Sequence, residues 1–249
     1  MSGSVQAKAR AKSVVKAVWR AMEQDGFVGK RGGTIWRRSN VKFDLLAFDV
    51  ITAASSHSRR AAPGTFMLDA SCLFPFLPRI GYQPRDVGRL DKGCGQFRLS
   101  VLGPLTGAAR VHRPLSWCVA EADATDDELA ADCLATVRKR LLPMFSRFDD
   151  PSEVLRTLIE DEDATASVGV WEIGKRDSLQ RLLYTGFAAL ECENWSVAQA
   201  SLTACRQKLR DLPGILTGRI AVDFLPLLDE ADAHAARQSR WSLPSGGDI

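Results

Sequence analysis

Histidine is scarce in this chain, with three in 249 residues, and the six cysteines (Cys72, Cys94, Cys118, Cys133, Cys192 and Cys205) form no C-x-x-C pair. Zinc centres are built from short paired spacings of these two residue types, so no metal is expected. Isolated cysteines behave as small apolar residues, and here they point to buried free thiols in a reducing, cytoplasmic setting. Long hydrophobic runs are missing too. Nothing approaches the roughly 18 uninterrupted apolar residues of a membrane-spanning helix, and no membrane partner is expected. The opening MSGSVQAKARAKSVV is basic but lacks the apolar segment and cleavage site of a secretory signal.

Catalytic motifs are absent in the same way. No G-x-S-x-G occurs, and nucleophilic catalysis would need a Ser or Cys beside a histidine held by a carboxylate. His57 sits in a Ser/Arg stretch, His112 lies between Val111 and Arg113, and His234 falls near a helix end. These are surface positions rather than those of a general base. Cys72 follows Asp69-Ala70-Ser71, with nothing nearby to lower its pKa. The run Gly26-x-x-Gly29-x-x-Gly32-Gly33 contains Lys30 but follows a helix and opens none, whereas phosphate loops need strand, loop and helix in that order. Asp44 and Asp49 face opposite sides of a regular strand and read as solvent-facing carboxylates; only a bulge between them would bring them together. Glu160-Asp161-Glu162-Asp163 lacks calcium-loop spacing and reads as a solvated hinge. No catalytic residue, metal or cofactor is assigned.

The chain does have an ordinary globular balance, 45% hydrophobic and 25% charged, with its charge unevenly placed. Residues 1–60 carry twelve basic and four acidic groups, net +8, while residues 121–165 carry five basic and thirteen acidic groups, net −8. Such segments either face each other within the fold or present opposite patches.

Periodicity organises the rest. Residues 4–24 predict a helix with Val14, Val15, Val18, Trp19 and Met22 on one apolar stripe and Lys8, Lys12 and Lys16 on a solvated face, ended by Asp25-Gly26. Gly32-Gly33 between β-prone residues predicts a hairpin, and Ser39-Asn40 a second turn. Residues 41–50 follow as a long strand, with apolar odd positions giving way to apolar even ones as a bulge would produce. Residues 53–63 read as a loop, 65–72 as a strand, 73–95 as an irregular connection, and 96–102 and 115–120 as strands. Helices then dominate. Thr125-x-x-Glu128 is a capping box, Pro143 ends or kinks the helix it opens, and a short helix runs from about 150 to 162. Residues 178–192 and 195–209 pair as an αα-hairpin, and a final helix runs from about 216 to 236, disturbed at Pro226. Strands and helices in separate runs give an α+β fold: an N-terminal helix, an antiparallel sheet of five or six strands, then helices. The expected division is an α+β domain over 1–165, a helical region over 166–238 and a disordered tail over 239–249.

A helix ending in Gly26-Phe27, then Lys30, Gly33-Thr34, Trp36-Arg37-Arg38 and a long apolar strand resembles the opening of the bacterial domain-of-unknown-function family 4304. Phe97-Arg98-Leu99, Trp117 and the capped helix at Thr125–Leu142 follow in order, so the resemblance covers roughly residues 8–162. It implies no catalytic motif; its loose association is with immunity or partner-binding factors. The stretch Thr52–His57 departs from the Gln- or Ser-rich turn of that pattern.

Lys30, Arg31, Arg37 and Arg38 are the candidate binding surface. With Trp36 they combine cations and a stackable ring, as single-strand nucleic-acid binders do. Alternation works against that reading: if Trp36 turns to the core, Arg38 must snorkel at the sheet edge and only Arg37 is fully exposed. The leading expectation is a non-enzymatic protein-interaction protein of immunity or inhibitor type, using charged surface and, as a second element, the αα-hairpin of Leu182, Leu183, Gly186, Phe187 and Leu190 against Trp195, Ala198, Leu202 and Cys205. A nucleic-acid-associated protein is the alternative, and a hydrolase or nuclease with scattered residues is the third.

Overall fold

The computed structural model describes residues 3–59, 61–80, 90, 95–100, 115–119, 123–160, 170–172, 177–212 and 214–241. The chain forms two compact units. The first opens with helix α1 (Gly3–Met22), whose Ala7, Ala11, Val14, Val15, Val18 and Met22 are buried. One 3₁₀ turn follows, and Gly26 at φ 84° closes it in the left-handed region that glycine occupies without a Cβ clash. The sheet is antiparallel: β1 (Gly29–Arg31), β2 (Thr34–Arg38), β3 (Phe43–Val50), β4 (Thr65–Leu73), β5 (Phe97–Ser100), β6 (Leu115–Cys118) and β7 (Val170–Glu172). The spatial order is β1-β2-β3-β4-β5-β7, with β6 also paired to β4. The fold is therefore the α+β arrangement of N-terminal helix, antiparallel sheet and helical C-terminal region. The short strand β7, on the far side of β5, has no alternation to announce it.

The glycine pair folds β1 back on β2, with Arg31 opposite Thr34 and Gly32 at φ 57°. The expected bulge in β3 is not there. Phe43 to Val50 pair with Leu73 to Phe66 in unbroken register. Apolar residues occupy both parities because both faces are covered, a pattern more usual for strands buried in a sheet interior. Odd positions Phe43 and Leu45 pack with Leu73, Leu90 and half-buried Trp36. On the other face Phe48 meets Trp19 of α1 edge-on at 6.2 Å between ring centres. Residues 53–59 are likewise helix α2 (Ala53–Arg59) rather than loop. Thr52 and Ser55 exchange side-chain and backbone hydrogen bonds at its start, which organises a turn lacking any apolar period.

Thr125 caps α3 (Asp126–Thr136) with the reciprocal Thr125–Glu128 box. A π turn over Val137–Leu141 leads into α4 (Leu142–Ser146), with Leu142 N–H donating to Val137 O just before Pro143. Pro143 is thus absorbed by a widened turn that keeps Val137, Leu141 and Phe145 buried. Phe74, Phe97 and Phe148 then close the sheet's inner end as a T-shaped aromatic trio with centres 4.9 to 6.0 Å apart.

The second unit contains α5 (Pro151–Glu160), α6 (Leu179–Glu191), α7 (Trp195–Arg210) and α8 (Gly214–Trp241). By its contacts α5 joins this helical unit and β7 joins the sheet, so the units interleave in sequence around the expected boundary at 165. Ser178 caps α6 and Asn194 caps α7. Gly186 permits their close approach: a Cβ there would lie 2.5 Å from Leu202 Cδ2. Buried Arg181 donates from Nε to Leu158 O at 2.9 Å, tying α6 to α5. Helix α8 runs through Pro226 and on to Trp241, so positions 239–241 are helical and not tail; 242–249 lie outside the described residues. No described helix is long and apolar enough to cross a membrane.

Candidate binding groove

The hairpin cations do not form a platform. Trp36 lies across Gly29, where a Cβ would meet the indole at 2.0 Å, and packs on the odd-numbered face of β3. Arg37, expected to be the fully exposed member, is only 25% exposed. Its Nε donates to Asp44 Oδ2 at 2.8 Å, and its guanidinium lies 5.2 Å from the Phe27 ring centre. The face opposite Trp36 is not solvent, because Phe27 and the 3₁₀ turn that follows α1 cover it. Arg38 is the exposed one, 5.5 Å over Phe43, and Arg31 sits at the exposed end of β1. Lys30 places its ammonium 4.1 Å from the centre of the Trp19 ring.

Asp44 is also not the solvent-facing carboxylate its strand position suggested. It is buried between Arg37 and the equally buried Lys42, which hydrogen-bonds its Oδ1 and reaches Asp149 at 3.1 Å. Cys72 Sγ lies 3.7 Å from the same oxygen. Burial first, then Asp44, push the Cys72 thiol well above its ordinary range, which leaves it protonated and a poor nucleophile. Two cations and two carboxylates balance here. The cluster carries structural charges that are satisfied by one another.

The uncompensated charges lie elsewhere. Helix α1 holds Lys8, Arg10, Lys12, Lys16 and Arg20 and no acidic residue. Arg10 is taken up by the fold, bonded to Asp126 at 2.9 Å and to the carbonyls of Val119 and Ala124. Lys12 and Lys16 meet no carboxylate among the described residues; together with Lys30 they border a groove of about 360 Å³ between α1 and the β1–β2 turn. Its apolar walls are Val15, Trp19, Phe48 and Val50. Gly33 lets the turn close on β3: Phe48 N donates to Gly33 O at 2.8 Å, and a Cβ would lie 2.4 Å from the Phe48 carbonyl oxygen. The Trp19 Nε1–H is buried and has no acceptor among the described residues. Such an arrangement can hold an anion beside apolar atoms.

Of the sequence-assigned surface, only Lys30 belongs to this groove. Lys12, Lys16 and Trp19 were read as a solvated face and a core stripe. The available signal was an acid-free helix whose lysine repeat adjoins an indole. In the helical unit, a second groove of about 380 Å³ lies among α6, α7 and α8, with Trp195 39% exposed at its rim. Its charges are already paired, Arg206 with Asp232. His57 is exposed on α2, His234 is half-buried on α8, and His112 lies outside the described residues. Cys72, Cys118, Cys133, Cys192 and Cys205 are free, and Cys94 is not among the described residues. No group of three or more His, Cys, Asp or Glu among the described residues is placed to hold a metal ion. Compared with family models, with curated proteins and with solved structures, the chain finds no match in any of the three.

Proposed function

We propose that this is a non-enzymatic binding protein of a reducing compartment, which engages a protein partner through the groove between α1 and the β1–β2 turn. The observation that carries this reading is the convergence of Lys12, Lys16 and Lys30 on an apolar groove with no carboxylate to neutralise them. Unpaired surface cations steer anionic partners and select against cationic ones. The five described free thiols, three of them buried, favour the reducing setting. An immunity- or inhibitor-type role, as the family resemblance implies, fits a chain whose distinctive surface binds rather than reacts. Nucleic acid is less well served, since Trp36 packs on the core and leaves no open ring beside Arg37 and Arg38 for base stacking.

The test compares a synthetic acidic peptide containing leucines with a single-stranded oligonucleotide of equal charge, by fluorescence anisotropy at low and moderate salt. The peptide should bind the wild type and lose at least about tenfold in affinity to a Lys12→Glu/Lys16→Glu/Lys30→Glu variant of unchanged melting temperature. Equal peptide affinity for both proteins, or tighter binding of the oligonucleotide, would overturn the reading.

A further inference from the structure

Resting on that groove, we propose a recognition rule for its occupant: an extended acidic segment, acid-x-acid beside an apolar residue, whose carboxylates pair with Lys12 and Lys16 while one of its carbonyl oxygens accepts the Trp19 Nε1 hydrogen. Three observations lead there. First, Lys12 and Lys16 are one helical turn apart, a rise of about 6 Å. In an extended chain, residues i and i+2 project from the same side about 6.6 Å apart, so alternate acids match the two ammonium groups in register. Second, Val15, Phe48 and Val50 line the groove with apolar surface, which a purely anionic ligand would leave unused. An apolar neighbour of the acids fills it. Third, the Trp19 Nε1–H is buried without a partner among the described residues, an uncommon and unfavourable state, and a carbonyl relieves it once Lys30 leaves the ring.

Lys30 is the moving part. Its ammonium sits on the Trp19 ring with no anion near it, and it projects from an exposed position on the edge strand β1. A charge-assisted bond to a carboxylate is stronger than a cation–π contact at a wet surface. Each paired carboxylate keeps a second oxygen, and one of these accepting from Lys30 draws it off the indole, so Trp19 reports the event.

The experiment uses the full chain and a leucine-flanked Glu-x-Glu peptide, with a control of the same composition whose glutamates are adjacent. Anisotropy gives affinity, and the tryptophan emission change is taken as the wild-type signal minus that of Trp19→Phe. Trp19→Phe keeps a ring beneath Lys30 but removes the N–H, so it should weaken the alternating peptide about three- to tenfold. The control peptide should bind less tightly than the alternating one. If Lys12→Glu/Lys16→Glu loses binding while Trp19→Phe binds as the wild type, this rule falls and the groove reading stands. If the lysine variants also bind as the wild type, both fall. Should Trp19→Phe fail to fold, Lys30→Met serves instead: it must shift tryptophan emission without ligand and shrink the peptide-induced change, and an unchanged spectrum overturns the rule.

Discussion

The basic residues of the β1–β2 hairpin and those of α1 carry the same charge but make different contacts. Arg37 donates to Asp44 inside a balanced ionic cluster, and Arg38 lies over Phe43. Lys12 and Lys16 project from an acid-free helix and border a groove that contains no carboxylate. The same contrast separates the two grooves, which are nearly equal in volume: the helical one has its Arg206 paired with Asp232, and the sheet one has three cations without a counter-ion among the described residues. Volume therefore says little about a ligand here. The charge that folding leaves unpaired says more.

The comparison breaks most severely at the buried cluster. Asp44→Ala strands the fully buried Lys42 beside a half-exposed Asp149, so chemical denaturation should show a loss of about 3–5 kcal/mol. A loss under about 1 kcal/mol would mean that the cluster is not closed to water. Trp36→Ala comes next, at about 2–3 kcal/mol, because a half-buried ring is withdrawn from Phe43, Leu45 and Leu73. An unchanged melting curve would put Trp36 on the surface after all. Alkaline titration sharpens the same contrast. Burial raises the Cys72 thiol and pushes Cys133 up to about 12, so the folded state keeps protons that the unfolded chain releases from about pH 8.5. This contribution is complete below that pH and declines as pH rises, and stability measured from pH 8 to 11 should fall in the wild type and less in Cys133→Ala. The smallest effect on stability belongs to the groove. Lys12→Glu/Lys16→Glu/Lys30→Glu should change unfolding free energy by no more than about 1 kcal/mol, since the three have no carboxylate partner among the described residues and lose only the Lys30 contact with Trp19. A large loss there would make these lysines structural and erase the distinction from the hairpin.

Much of the fold could be read locally. The stripe Val14, Val18, Met22 faces the core as its spacing implies, Gly32-Gly33 turns the hairpin, and the Thr125 box starts α3. These features depend on residues a few positions apart. Misreadings arose where a distant element intervened. The shift of apolar parity in β3 suggested a bulge but reflects cover on both faces, by α1 on one and by the Trp36 cluster on the other. Asp44 read as a surface acid because its counter-ions Arg37, Lys42 and Asp149 converge only in three dimensions. The groove was least legible, since Phe48 and Val50 had to be brought beside Lys12 and Trp19 before any site existed.

Residue order by itself determined most of the helices and strands, the apolar stripe of α1, and that the first sixty residues are strongly basic. Those properties follow from side-chain periodicity and turn chemistry, which act over a few residues. Tertiary structure alone decided which cations acquire a partner. When α1 docks, Arg10 reaches Asp126 and Lys42 reaches Asp149 across most of the first unit's sequence, while Lys12, Lys16 and Lys30 are carried to a place where no acid follows them. Coulomb pairing is fixed by distance in space, and no local pattern along a chain encodes it.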